Sequence, residues 1–127
     1  MRVMVLVKAT AESEQGLKNT PETLAMFEAM GRFNQELEAA GVLRGEGMGL
    51  KPTSEAKRVH FSGTDRTVTD GPFANPNELV AGFWIWHVKD MDEAVAWVKR
   101  CPNPMFGPSD IEIRPVFEAE DFAGILP

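Results

Sequence analysis

The 127-residue chain contains no tyrosine, one cysteine and two histidines. Without tyrosine, acid–base chemistry through a phenol is excluded. The single thiol of Cys101 cannot form an internal disulfide or a thiolate metal cluster, and one unpaired cysteine is typical of a reducing compartment, which predicts a cytoplasmic location. His60 and His87 lie far apart in the sequence and show no zinc-type ligand spacing, so no metal site is predicted.

Positive charge and long apolar segments are also scarce. Thirteen Lys and Arg residues stand against nineteen Asp and Glu residues, a formal net charge of −6 at pH 7. Because no basic face is apparent, neither nucleic acid nor a membrane surface is an expected partner. The longest apolar run, residues 79–86, falls far short of the roughly 20 residues that span a bilayer. The apolar start of the chain stops at Lys8, which predicts a buried strand rather than a secretory signal.

A glycine-rich phosphate loop is missing as well. Gly45, Gly47 and Gly49 do not lie between a predicted strand and a predicted helix, which is the context that a dinucleotide-binding motif requires. No cofactor is therefore predicted.

The pattern of apolar residues predicts one α+β domain over residues 1–127. Thr20 caps a helix whose apolar positions recur every three or four residues up to Gly41, and Asp90 caps a second helix that ends before Pro102. Residues 118–127 are predicted to form a tail. Strands are predicted at residues 3–7, 42–50, 57–61, 66–70, 79–89 and 111–117, and the glycines of the strand at residues 42–50 predict that it is bulged or closely approached. This order predicts a ferredoxin-like sandwich with an inserted β-hairpin, in which two helices cover one face of an antiparallel sheet.

The predicted strand at residues 79–88 is apolar on both of its faces. Phe83 and Ile85 lie on one face, whereas Trp84 and Trp86 lie on the other. The helices cover only one of these faces, and large exposed apolar patches are uncommon in monomers. The sequence therefore predicts a homodimer that packs sheet to sheet around a pocket.

Three candidate site residues lie on the predicted hairpin. Histidine side chains change charge near neutral pH, so His60 is a candidate general base, or else a surface residue of a hairpin whose Val59 and Phe61 point inward. Arg58 shares its face with His60. Asp70 precedes Gly-Pro, where a carboxylate either caps the amides of the turn or faces a ligand at the end of a strand.

Charged residues also alternate along two other predicted strands. Glu112 and Arg114 point away from the helix-packed core, where they either form an ion pair or face a pocket in which guanidinium suits an anionic ligand. Arg44 and Glu46 repeat this pattern. His87 is more typical of a half-buried structural histidine than of a catalyst.

The segment at residues 68–74, Val-Thr-Asp-Gly-Pro-Phe-Ala, resembles the signature of the DGPF subgroup of the YCII-related proteins. Further matching segments occur in the family's order at residues 45–52, 81–83, 92–94, 100–102 and 111–116. The resemblance covers nearly the whole chain, and it implies a dimeric α+β barrel built from ferredoxin-like protomers.

The resemblance also bears on activity. The wider family includes a dehydrochlorinase of chlorinated hydroquinone breakdown, and several members carry a His in the first helix and an Asp near the end of the second as a proposed acid–base dyad. The matching positions here hold Met30 and Cys101, neither of which can act in this way. Some DGPF proteins are linked to alternative sigma factors, which implies a regulatory role.

Two functions follow as predictions. The first is a cofactor-independent enzyme, an acid–base lyase or isomerase, that acts on a small aromatic or anionic metabolite. In it, Asp70 or His60 moves the proton, Arg58 or Arg114 holds a developing oxyanion, and Glu112 and Glu46 add ligand contacts. The second is a dimer without catalysis that binds a ligand or acts in regulation.

Overall fold

Two antiparallel sheets and two α-helices make up an α+β fold in the computed structural model, which describes residues 1–127. The main elements follow the predicted order, and they are β1 (Arg2–Lys8), α1 (Pro21–Ala39), β2 (Met48–Gly49), β3 (Lys57–Ser62), β4 (Asp65–Asp70), β5 (Val80–His87), α2 (Met91–Arg100) and β6 (Ile111–Pro115). No helix is both long enough and apolar enough to cross a membrane.

The main sheet has the strand order β2-β5-β1-β6, and all of its pairs are antiparallel. Val5 of β1 lies opposite Trp84 of β5 and opposite Ile113 of β6, so these three side chains share one face of the sheet. β3 and β4 form a separate two-stranded hairpin. The fold therefore has a four-stranded platform and a hairpin that is not hydrogen-bonded to it.

Local signals explain both helices. The Thr20 side chain accepts a hydrogen bond from the Thr23 backbone N–H at 3.2 Å, and Pro21 occupies the first turn of α1. Beyond Ala39, Gly41 adopts a φ of +75°, a left-handed conformation that ends helices at little cost for glycine. At α2, Asp90 Oδ1 accepts from the Glu93 N–H at 2.9 Å. The predicted helix starts are confirmed.

The core lies between one face of the main sheet and both helices. Val3, Val5, Leu37 and Trp86 are fully buried. The Phe33 ring of α1 meets the rings of Trp84, Trp86 and Trp97 edge-on, with centroids between 6.2 and 6.4 Å apart. Trp86 Nε1 has no hydrogen-bond partner within this core. Aromatic packing around Phe33 thus joins β5, α1 and α2.

The predicted strand at residues 42–50 is reduced to Met48 and Gly49, and Leu43 adds one isolated bridge to Trp86. The cause is the close approach of Gly47 to an aromatic ring. A Cβ on Gly47 would lie 2.5 Å from Cδ1 of Trp84, so the backbone passes directly over the indole. The irregular chain before β2 is therefore shaped by contact with Trp84.

The β3–β4 hairpin forms where it is predicted, and its strands pair with Val59 opposite Val68 and His60 opposite Thr67. However, the prediction that Val59 and Phe61 point inward is wrong for the single chain, because every residue of both strands is exposed. Neither helix nor the main sheet covers the hairpin, since both helices pack on the main sheet.

The predicted tail at residues 118–127 begins with a short 3-10 helix, Ala119–Phe122. The carboxylate of Glu118 accepts two hydrogen bonds from the Arg2 guanidinium, at 2.9 and 3.2 Å. This ion pair joins the end of β6 to the start of β1.

Candidate functional site

A cavity of about 820 Å³ lies on the helix side of the main sheet. Its walls are the first half of α1, the loop at residues 10–18, the segment at residues 47–55, the beginning of β5 and residues 104–106. We call it the α1 cavity. The predicted pocket between two sheets needs a second chain, so this structure leaves it as a prediction; within one chain, the space for a ligand lies on the other side of the sheet.

Thioether and aromatic side chains dominate the lining of the α1 cavity. They come from α1, β5 and the loop before β6, and they include Met26, Phe27, Met30, Trp84, Met105 and Phe106. Methionine side chains adapt their shape and make favourable contacts with aromatic rings. A cavity of this size and lining suits a small, flat, mainly apolar molecule.

Asn34 provides a directional polar group in this lining. Its Oδ1 accepts a hydrogen bond from Trp84 Nε1 at 3.0 Å. The indole N–H can only donate, so the atom that faces it must be the amide oxygen, which fixes the opposite side of the amide as the NH₂ group. The structure gives this Nδ2 no acceptor within the protein. A donor of known orientation is therefore available at the cavity.

Hydrogen bonds to Thr53 connect two segments at the rim of the α1 cavity. The Thr53 hydroxyl donates to Glu14 Oε2, the Thr53 N–H donates to Glu14 Oε1 at 3.2 Å, and the Phe73 N–H donates to the same hydroxyl at 3.1 Å. Glu14 belongs to the loop that walls the cavity, and Phe73 belongs to the Asp-Gly-Pro-Phe motif. The motif is thus connected to the cavity wall through one threonine.

Gly71 of the same motif packs directly on backbone. Its N–H donates to the Ala56 carbonyl at 2.9 Å, and a Cβ added to it would lie 1.6 Å from the Thr53 carbonyl oxygen. Only glycine fits this position, because both groups in contact are main chain. The motif therefore has a structural role here, holding the base of the hairpin against residues 53–56.

The two predicted proton carriers are not brought together within one chain. Asp70 pairs with Lys57 across the hairpin, with 2.5 Å between its Oδ1 and the lysine Nζ. His60 lies three positions after Lys57 on the same strand, so its side chain points to the opposite face of the hairpin. Neither Asp70 nor His60 lines the α1 cavity.

The predicted ligand-binding residues also lie outside the α1 cavity. The Arg58 guanidinium stacks on the Phe73 ring at 3.8 Å from its centroid. Glu46 is exposed beside Gly47. Glu112 and Arg114 lie opposite Leu6 and Met4 on the uncovered face of the sheet, and they form an ion pair with each other at 3.6 Å. Their predicted direction, away from the helices, is confirmed.

Comparison with known proteins places the chain in a family. The model of the YCII-related domain matches residues 1–120. The protein belongs to the YCII-related family. An uncharacterized protein of Rhizobium meliloti (strain 1021) is 31% identical over 67 residues, which cover 53% of this chain and 54% of that protein. The match therefore spans about half the length of this curated relative.

A solved structure similar to this YCII-related chain is 5-chloro-2-hydroxyhydroquinone dehydrochlorinase from Burkholderia phenoliruptrix, in complex with 2,5-dihydroxybenzoquinone. The sequence identity is 15% and the TM-score is 0.44, over 88% of this chain and 91% of the other.

Met30 and Cys101, which the sequence resemblance sets against the proposed acid–base dyad, have apolar or weakly acidic side chains. Met30 lines the α1 cavity. Cys101 is a free, half-buried thiol whose Sγ contacts the Pro102 carbonyl oxygen at 3.2 Å. Burial raises the pKa of Cys101 to about 11, so the thiol stays protonated at neutral pH. Neither side chain can supply an acid–base pair in this YCII-related protein.

His87 lies at the end of β5 beside a group of charged residues. Burial lowers the pKa of its imidazole below the ordinary 6.5, and the positive charges of Arg44 and Arg2 lower it further, whereas Glu118 acts in the opposite direction. His87 is half-buried. It therefore stays neutral in the folded protein at a pH at which it is partly charged in the unfolded chain.

Stability should fall as the pH drops below about 6.5, the ordinary value for histidine, because the unfolded chain then binds a proton at His87 that the folded protein does not. Above that pH both states are neutral at this position and the contribution disappears. We expect His87→Gln to flatten the dependence of the urea midpoint on pH in this range. Arg44→Gln should flatten it only in part, and an unchanged slope in His87→Gln would contradict the assignment.

Sequence reasoning did not identify Asn34, Glu14 or Thr53 as residues of a site. Asn34 follows Met26 and Met30 at four-residue intervals, so a polar residue within a row of methionines on one helix face was an available signal. Nothing in the sequence links Glu14 with Thr53, since the two residues lie 39 positions apart and meet only through the fold.

Proposed function

We propose that this YCII-related protein binds a small organic molecule in the α1 cavity, with an apolar, aromatic body and at least one oxygen acceptor. The proposal rests on the orientation of the Asn34 amide: Trp84 fixes its oxygen, and its Nδ2 donor has no acceptor in the protein. Ligand sites commonly combine apolar walls with a few placed polar groups. Phenols, benzoquinone-like compounds and aromatic acids have this chemistry.

Charge at the rim supports an oxygen-rich or anionic ligand. Lys18 and Lys51 both line the cavity, and each forms a long ion pair, at 3.5 Å with Glu12 and at 3.9 Å with Glu55. Both lysine side chains are more than half exposed. They can therefore turn towards an incoming carboxylate or phenolate at low cost, because exposed ion pairs contribute little stability.

The positions of Asp70 and His60 favour a binding function over catalysis that uses these two residues. A lyase or isomerase that used Asp70 and His60 would need both near the substrate, and within one chain they point to opposite faces of an exposed hairpin. The half-buried carboxylate that lines the cavity, Glu14, has both of its oxygens bonded to Thr53. Asp70, His60 and Arg58 stay candidates for a site completed by a second copy of the hairpin.

The assembly is part of the same proposal. The strand order β2-β5-β1-β6 with both helices on one face supports a ferredoxin-like protomer. On the uncovered face, Met4, Leu6, Phe83 and Ile85 form an apolar surface, which supports a homodimer that packs sheet to sheet as a dimeric barrel, with Glu112 and Arg114 at its interface. The fastened Asp-Gly-Pro-Phe turn supports membership of the DGPF subgroup, and the free Cys101 supports a cytoplasmic location.

The ligand proposal is tested by replacing Asn34 with aspartate. Asn34→Asp keeps an oxygen for the Trp84 N–H but removes the Nδ2 donor. We expect affinity for benzoate to fall about tenfold or more, since a hydrogen bond to a charged group contributes roughly 1.5–3 kcal/mol, and affinity for neutral phenol to fall less than that for benzoate. Affinity for toluene, which has no acceptor, should change less than about twofold. Ligand-observed NMR titration measures all three.

Gln35→Glu is the matched control, because it makes the same amide-to-acid change on the exposed side of α1, at the next residue. It should leave all three affinities unchanged. The proposal fails if none of the three probes binds the unmodified protein, or if Asn34→Asp weakens toluene as much as benzoate.

A further inference from the structure

We propose that the β3–β4 hairpin is a dimerisation arm, whose face formed by Val59, Phe61 and Val68 packs on a second copy of this chain. The inference rests on the homodimer of the proposed function. It adds that the hairpin contacts the second copy, in addition to the uncovered face of the main sheet.

The hairpin exposes an apolar face that only its own Arg66 partly covers, since the Arg66 guanidinium lies over the Phe61 ring at 4.5 Å from the centroid. Val59, Phe61 and Val68 are 49%, 66% and 59% exposed. Val59 lies directly opposite Val68, and Phe61 lies opposite Arg66, so all four side chains project from one face. Two-stranded hairpins are marginally stable in water unless they pack against something. This one shares no hydrogen-bonded pairing with the main sheet.

The total accessible surface supports a large contact between copies. The chain exposes 8833 Å². A compact monomer of 14.0 kDa is expected to expose about 6,700 Å². The difference, roughly 2,000 Å² per chain, exceeds the roughly 800 Å² that each partner buries in an interface of standard size. A projecting hairpin contributes to such an excess.

The base of the hairpin is fixed, so its direction is set before any contact forms. Gly71 packs on the Thr53 carbonyl, Arg58 stacks on the Phe73 ring, and Lys57 pairs with Asp70 where the two strands leave the body. An arm that is already oriented loses less conformational entropy when it docks than a mobile loop does. These contacts are therefore what a preorganised arm requires.

Charge favours the body of another copy as the surface that the arm meets. The hairpin, residues 57–70, holds three Lys and Arg residues and two Asp residues, whereas the remaining chain holds ten Lys and Arg against seventeen Asp and Glu. The arm is thus weakly positive and the body strongly negative. Opposite charge promotes docking between the arm of one copy and the body of the other.

The test removes the apolar character of the arm while keeping its shape. Val59→Thr with Val68→Thr exchanges two valines for a similarly shaped, β-branched residue that favours strands. We expect the dimer dissociation constant, measured by sedimentation equilibrium, to rise at least about tenfold, because four valines per dimer lose their apolar contacts. Thr67→Val with Thr69→Val makes the reverse exchange on the opposite face and should not weaken the dimer.

Two outcomes separate this inference from the homodimer itself. If the unmodified protein is monomeric at all concentrations, the homodimer and the arm both fail. If it is dimeric and Val59→Thr with Val68→Thr dimerises with unchanged affinity, the arm alone is refuted. Hydrogen exchange of the unmodified protein gives an independent result: amides at residues 57–70 should exchange more slowly at dimer than at monomer concentrations, and equal rates would also refute the arm.

Discussion

Gly71→Ala is expected to lower the free energy of unfolding by about 3 kcal/mol, at the upper end of the usual cost of overpacking. The new methyl group would begin 1.6 Å from the Thr53 carbonyl oxygen, and the Ala56 carbonyl lies 3.4 Å away on the same side. Both obstacles are backbone, so no side chain can rotate to make room. In thermal unfolding the midpoint should fall by roughly 10 °C for a chain of this length.

Gly31→Ala is the matched control for this substitution. Gly31 lies within α1, and a Cβ there would meet nothing within 4 Å. Alanine is better than glycine inside a helix by about 0.5–1 kcal/mol, so this variant should melt at a higher temperature than the unmodified protein. Equal melting temperatures for Gly71→Ala and the unmodified protein would show that the turn is not fastened to residues 53–56 as described.

Phe33→Ala is expected to cost about 3–5 kcal/mol, the range for removing a buried phenylalanine. Phe33 is 4% exposed and contacts three tryptophan rings, which belong to β5 and α2. Its removal leaves a space that large, rigid indoles cannot fill by small movements. Urea unfolding should show a lower midpoint with a similar slope, since the surface exposed on unfolding changes little.

Phe27→Ala provides the comparison on the same helix. Phe27 lies at the α1 cavity and is 49% exposed, so its truncation removes fewer packed contacts. We expect a loss of stability well under half of that in Phe33→Ala. Similar losses in the two variants would mean that the aromatic cluster around Phe33 does not dominate the core.

The fold was predictable wherever the signals are local. Thr20 and Pro21 begin α1, Asp90 begins α2, and alternation along β5 separated Trp84 and Trp86 from Phe83 and Ile85. The structure shows that the two tryptophans lie on the helix side. Each of these signals depends on residues within one or two turns or on a single strand. Tertiary contact is not needed to recognise them.

The errors occur where the outcome depends on distant contacts. Val59 and Phe61 were expected to point inward because alternation implies a covered face, but nothing in this chain covers the hairpin. The strand before Leu50 was predicted to be bulged or closely approached, but the group that approaches Gly47 is Trp84, 37 residues further along, and only the fold identifies it.

The candidate site was less predictable than the fold. The Asp-Gly-Pro-Phe motif drew attention to Asp70, yet the structure shows that Gly71 and Phe73 make the contacts that fasten the motif. Asn34 carries no motif, and its role depends on Trp84, 50 positions away. Site residues that act through such pairs cannot be found by spacing along one element.

The position of Trp84 at the α1 cavity also makes its indole an intrinsic fluorescence probe of that cavity. Since the chain has no tyrosine, its intrinsic ultraviolet emission comes from three tryptophans. Of these, Trp84 lines the α1 cavity, whereas Trp86 and Trp97 do not. A quinone or nitroaromatic compound that enters the cavity would lie close to one indole, so occupancy can be followed by quenching of that indole without attaching a dye.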